Sequence, residues 1–119
     1  MENVAYLEIE DFTPEGNLKR HVNQGFPTVI FAHGNFCSYC KIAAPAFQEF
    51  AKSGHQVVAA SILIDGEPSE REAAKFLKQW DPEYRGVPHY LGFDKTGKFV
   101  KIHTGGRDKK SIEEFAISL

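Results

Sequence analysis

The chain has 119 residues, 42% hydrophobic and 25% charged, with a formal net charge of −2. That length suits one domain, residues 1–119, and is too short for two well-packed cores, while ten Phe and four Tyr argue against a disordered chain. The charge leaves no electrostatic footprint for nucleic acid or an anionic membrane, and no apolar run reaches the length of a bilayer span.

In chain order, Val4, Tyr6, Leu7 and Ile9 predict a short first strand. Thr13 followed by Pro14 reads as a helix start, with Leu18, His21 and Val22 on one face and Gly25 near its end. Pro27 to His33 is the second strand. Gly34 and Asn35 break it, and a helix follows on which Ala43, Phe47, Phe50 and Ala51 recur at helical spacing, bent at Pro45. The apolar run Val57 to Ile64 predicts a strand covered on both faces. Ser69 with Glu72 matches a capping box, and Ala73, Phe76, Leu77 and Trp80 give that helix its buried stripe. Tyr90–Phe93 and Phe99–Ile102, joined by a turn with Gly97, form a hairpin. Asp108 caps a last helix carrying Ile112, Phe115, Ala116 and Leu119. The order is βαβαβαββα, an α/β fold with helices on both faces of a mainly parallel sheet and an antiparallel hairpin at its end.

The chemistry concentrates in Cys37-Ser38-Tyr39-Cys40, which holds the only two cysteines. Two cysteines cannot staple a secreted domain, so the pair is redox-active, metal-binding or incidental. At the first turn of a helix a cysteine meets unpaired backbone N–H groups and the positive end of the dipole, which favour thiolate over thiol. Cys37, on the outer side of the turn, is the expected nucleophile, and Cys40, one turn in, the resolving thiol. CxxC is also half of a zinc site. No second CxxC or paired-histidine motif completes one, and His21, His33, His55, His89 and His103 are scattered, so neither a metal nor a bound cofactor is expected. Arg107, Lys109 and Lys110 are interleaved with Asp108, Glu113 and Glu114, as on a solvated face. Met1-Glu2-Asn3 opens with an acid and shows no leader pattern; a cytoplasmic location is expected, and a mature form freed of a leader fits equally.

With this order in hand, the sequence resembles the thioredoxin family nearly end to end. The family's lysine after the second cysteine is matched by Lys41, its helix-kinking proline by Pro45, and its Arg-Gly-Ile/Val-Pro loop by Arg85-Gly86-Val87-Pro88. The resemblance implies a cis-proline at Pro88, with the Val87 backbone turned toward the cysteines as a reader of extended substrate, and a close approach of Gly105 or Gly106 to the site. Departures are also plain. The family's buried aspartate is replaced by Phe31, its partner lysine by Ser61, and the tryptophan before the first cysteine by Phe36. Ser38 and Tyr39 stand where thioredoxins carry Gly-Pro.

What the resemblance implies is a monomeric thiol-disulfide oxidoreductase, its Cys37–Cys40 dithiol exchanging with protein disulfides through a mixed disulfide, within electron transport and cell redox homeostasis. A reductase of the thioredoxin-reductase type is the implied electron donor. Phe36 and Tyr39 are expected to form an apolar docking rim, and His33 and His89 to lie near the cysteines, where either could raise thiolate content or assist proton transfer. The alternative is a binding or assembly module of the same fold with little turnover, an idea fed by the missing charge pair.

Overall fold

The computed structural model describes residues 1–53 and 56–119; His55 lies outside them. The strands are β1 (Ala5–Tyr6), β2 (Thr28–His33), β3 (Val58–Leu63), β4 (His89–Phe93) and β5 (Phe99–His103). The helices are α1 (Arg20–Asn23), α2 (Ser38–Lys52), α3 (Pro68–Ala74), α4 (Leu77–Trp80) and α5 (Lys109–Ile117), with one 3-10 turn at Ile9–Asp11. One mixed sheet has the order β1-β3-β2-β4-β5. β3 runs parallel to both β1 and β2, whereas β4 is antiparallel to β2 and β5 to β4. Antiparallel pairing therefore extends beyond the closing hairpin to the middle of the sheet.

Period-2 alternation along β2 divides the interior into two cores. Ile30 and Ala32 point with Ala60, Ile62, Leu91 and Phe93 toward Leu77 and Trp80 of α4. Val29 and Phe31 point with Ala59 and Tyr90 toward α2 and α5, where Phe47, Phe50, Ile112 and Phe115 close over them. Phe47 is fully buried, which is worth about 1.5–3 kcal/mol for a side chain of its kind. α5 lies close on β4 because Gly92 has no side chain: a Cβ there would strike Leu119 and the Phe115 ring.

Two expected helix starts are corrected. Thr13 and Pro14 begin a turn, not a helix: the Thr13 carbonyl accepts the Gly16 N–H at 2.9 Å, and its hydroxyl accepts the Asn17 N–H at 3.1 Å. The strand-like stretch after it is held elsewhere, Leu18 donating to the Gly97 carbonyl at 2.8 Å, so that only Arg20–Asn23 are left to coil. The capping box also moves. Glu67 caps α3 with Pro68 in the first turn, and the Glu67 N–H donates to the Glu70 carboxylate at 2.8 Å. Ser69 donates its hydroxyl to Glu8 instead, at 2.9 Å, tying α3 to the N-terminal segment. The single helix expected up to Trp80 is divided into α3 and α4 around Lys75 and Phe76. The remaining elements lie within a few residues of their expected places.

Candidate active site

β2 ends at His33, and the loop 34–37 delivers the chain to α2. That loop is fixed from the neighbouring strand: both carboxylate oxygens of Asp65, just past β3, accept the Asn35 N–H at 2.9 and 3.0 Å. Nothing in the sequence reading assigned this clamp, although an acid directly after a buried strand is a frequent acceptor for loop backbone. Cys37 is then the N-cap of α2, its sulfur accepting the Cys40 N–H at 3.1 Å. In this position a side chain satisfies one of the free donors of the first turn. Cys37 and Cys40 are joined by a disulfide, their Cα atoms 5.2 Å apart. Cys37 is 7% exposed and Cys40 2%.

Val87 sits against the disulfide, with Pro88 directly after it. The Val87–Pro88 peptide bond is cis, and the Val87 carbonyl oxygen lies 3.6 Å from Cys37 Sγ. A disulfide sulfur carries no proton, so this approach is a contact and not a hydrogen bond. Gly105 lines a cleft of about 260 Å³ beside Pro88, together with Tyr90, His103 and Arg107. Gly106 has another occupation: its carbonyl accepts from His103 Nε2 at 2.7 Å, and a Cβ on it would meet Asp108 Oδ1 at 2.7 Å and Ser111 Oγ at 2.9 Å. The absence of a side chain at Gly106 serves the cap of α5. Around the cysteines Phe36 is 72% exposed, Tyr39 66% and Ile42 74%, an apolar rim in which Ile42 is an addition to the residues expected. Ser38 and Lys41 are also exposed.

Beneath the disulfide, Phe31 and Ser61 are side-by-side partners in the β2–β3 register, and Phe31 pairs with Tyr90 across β2–β4. The two positions at which the thioredoxin family carries a charged pair thus hold an aromatic ring and a hydroxyl here, both buried. Phe31 stacks on His33 at 5.2 Å and on Phe47 at 5.1 Å, and Tyr90 packs at 5.2 Å from Phe31. Ser61 Oγ, Tyr90 OH and His33 Nε2 are all buried without a hydrogen-bond partner among the described residues. Burial pushes the Tyr90 phenol up to about 12. Burial holds the His33 imidazole below its ordinary value, against the opposing pull of the Asp65 carboxylate, so the ring is neutral at neutral pH.

The two histidines part company. His33 lies on the cysteine face and lines a cleft with Cys40. His89 alternates with Tyr90 along β4 and faces the other core, where its Nε2 is 2.9 Å from the Asp81 carboxylate and its ring 5.5 Å from that of Tyr84. Among the described residues no group of three or more His, Cys, Asp or Glu side chains could hold a metal ion, and no helix is long and apolar enough to cross a membrane.

No family model matches the chain. It is 31% identical to the thioredoxin-like protein 453L of Invertebrate iridescent virus 6, over 96% of this chain and 92% of that one. It is 26% identical to a thiol:disulfide interchange protein TxlA homolog of Synechocystis over 78% of this chain, spanning 49% of that longer protein. Among solved structures, the first thioredoxin domain of mouse protein disulfide-isomerase A4 superposes with a TM-score of 0.73 at 17% identity, covering 99% of this chain and 76% of the other. With the mixed five-stranded sheet, a disulfide at CxxC spacing on a helix start and a relative of that identity along nearly its whole length, this protein belongs to the thioredoxin-like family.

Proposed function

We propose that the chain, as one thioredoxin-like domain, exchanges its Cys37–Cys40 dithiol with disulfides of other proteins. The observation that carries this reading is the Cys40 N–H directed at Cys37 Sγ at 3.1 Å. On reduction that donor and the positive end of α2 both act on the Cys37 sulfur, and a hydrogen bond to an ionised acceptor is about twice as strong as one to a neutral acceptor. Cys37 is accordingly the nucleophile. Cys40, the more buried of the two, is the resolving thiol. The Val87 carbonyl beside Cys37 supports a role for that backbone in pairing with an extended substrate segment, as in recognition by strand addition. The exposed rings of Phe36 and Tyr39 suit contact with apolar substrate surface around the scissile disulfide.

The exchange balances without a bound cofactor. The Cys37 thiolate attacks one substrate sulfur, the other leaves as a thiolate, and the Cys40 thiolate then displaces the first sulfur from the mixed disulfide; two electrons pass to substrate and the Cys37–Cys40 bond forms. Run in reverse, the same steps oxidise a substrate dithiol. The test is reduction of insulin by dithiothreitol, followed as turbidity. The wild-type chain should shorten the lag and Cys37→Ser should return it to that of dithiothreitol alone. Equal rates for the two proteins would overturn the reading.

A further inference from the structure

Resolution by Cys40 requires its thiol to lose a proton at 2% exposure, where burial in apolar surroundings opposes ionisation. A group must take that proton. A cleft of about 220 Å³ opens on Cys40, lined also by His33, Asn35, Lys41 and Tyr6. This volume is several times the roughly 30 Å³ share of one water molecule, and the lining is polar enough to hold water. We propose that His33 is the proton acceptor for Cys40 during resolution, working across this cleft, and the proton donor to it in the reverse direction. The proposal rests on the exchange reading above.

Elimination among the groups around the cleft leads to His33. Asp65 is the carboxylate acting most strongly on the ring, but both its oxygens hold the Asn35 N–H. Glu70 is engaged by the Glu67 N–H at the start of α3. Tyr90 keeps its proton at neutral pH, and Ser61 is no base in this range. Lys41 is a cation and Tyr6 is joined to the N-terminal amine. His33 alone combines a neutral imidazole with a polar atom that has no partner among the described residues, Nε2. Leaving a buried polar atom unpaired is costly, so an orphan on a residue that lines the same cleft as Cys40 invites a functional explanation. The ring's orientation is set by its stack on Phe31, the residue that replaces the family's buried aspartate.

The step is a proton transfer followed by exchange. Cys40–SH gives its proton to a ring nitrogen of neutral His33, leaving thiolate and imidazolium; the thiolate attacks Cys37 Sγ, the Cys37–substrate bond breaks, and the released substrate thiolate takes a proton from solvent. The charges that face His33 set its pH range: the Asp65 and Glu70 carboxylates favour the imidazolium, while the N-terminal amine, together with burial, opposes it.

Stopped-flow reaction of the reduced protein with one equivalent of dithiobis(nitrobenzoate) separates the two halves, because Cys37 releases the first chromophore and Cys40 the second. His33→Phe, which keeps a ring on Phe31, should leave the first phase within twofold and slow the second about 10- to 100-fold at pH 7, the second recovering as pH approaches the free-thiol value. An unchanged second phase, or both phases slowed alike, would overturn the role of His33. A missing first phase in the unsubstituted protein would overturn the exchange reading beneath it. Should His33→Phe fold poorly, the unsubstituted protein decides: its second phase should rise with a group titrating below the ordinary histidine value of 6.5, and a single rise near the thiol value of about 8.5 contradicts the proposal.

Discussion

The two faces of the sheet carry similar residues in opposite circumstances. On the side of α3 and α4, the ring nitrogens of Trp80 and His89 are paired: Trp80 Nε1 donates to the Gly16 carbonyl at 3.0 Å, and His89 Nε2 meets Asp81 at 2.9 Å. On the side of α2 and α5, under the disulfide, His33 Nε2, Ser61 Oγ and Tyr90 OH have no partner among the described residues. The residues differ less than their neighbours do. The α3–α4 side has orphans too, since Thr28 Oγ1, which shares the facing of Ile30 and Ala32, and Asn23 Oδ1 of α1 are buried without a partner among the described residues. What differs is that its ring nitrogens are paired, whereas the polar ring atoms under the disulfide are open where thiols are made and broken.

Two substitutions sharpen that contrast. Trp80→Phe has the larger expected effect, because it shrinks a ring packed against Phe12, Phe76 and Phe93 and strands the Gly16 carbonyl. A loss of about 2–3 kcal/mol in urea unfolding is expected. Tyr90→Phe should do little or the reverse. Removing a buried hydroxyl with no partner should leave stability within about 0.5 kcal/mol or raise it by up to about 1 kcal/mol. A Tyr90→Phe loss as large as that of Trp80→Phe would show that the two faces do not differ in this respect.

The sequence made much of this architecture legible, and its failures have local causes. β2, β3, α2 and α5 each carry an apolar pattern long enough to identify them, and CxxC after a strand locates the disulfide. The segment from Thr13 to Gly25 misled because Thr13–Asn17 closes on itself as a turn and the Leu18 N–H is taken by the Gly97 carbonyl, more than seventy positions away, which no local signal reports. The start of α3 offered overlapping capping patterns, Glu67 to Glu70 and Ser69 to Glu72; the proline at position 68 favours the earlier one, since it suits the first helical turn. At the site, the parity of two strands decided what motif and spacing could not. His33 shares the facing of Phe31, and His89 has the opposite facing to Tyr90, so the two histidines expected together sit on opposite faces of β2 and β4. Once Tyr90 is known to face α2, the assignment follows, but it needs the sheet.

What separates the cysteine face from its counterpart is, in the end, the state of one sulfur. The most direct measurement is the ultraviolet absorbance of thiolate as the reduced Cys40→Ser protein is titrated, where Cys37 is the only thiol. Capping of α2 by Cys37 predicts a midpoint well below that of free cysteine, within roughly 3.5–7.5. A midpoint at about 8.5 would mean that the helix start does nothing for this sulfur, and would contradict the account.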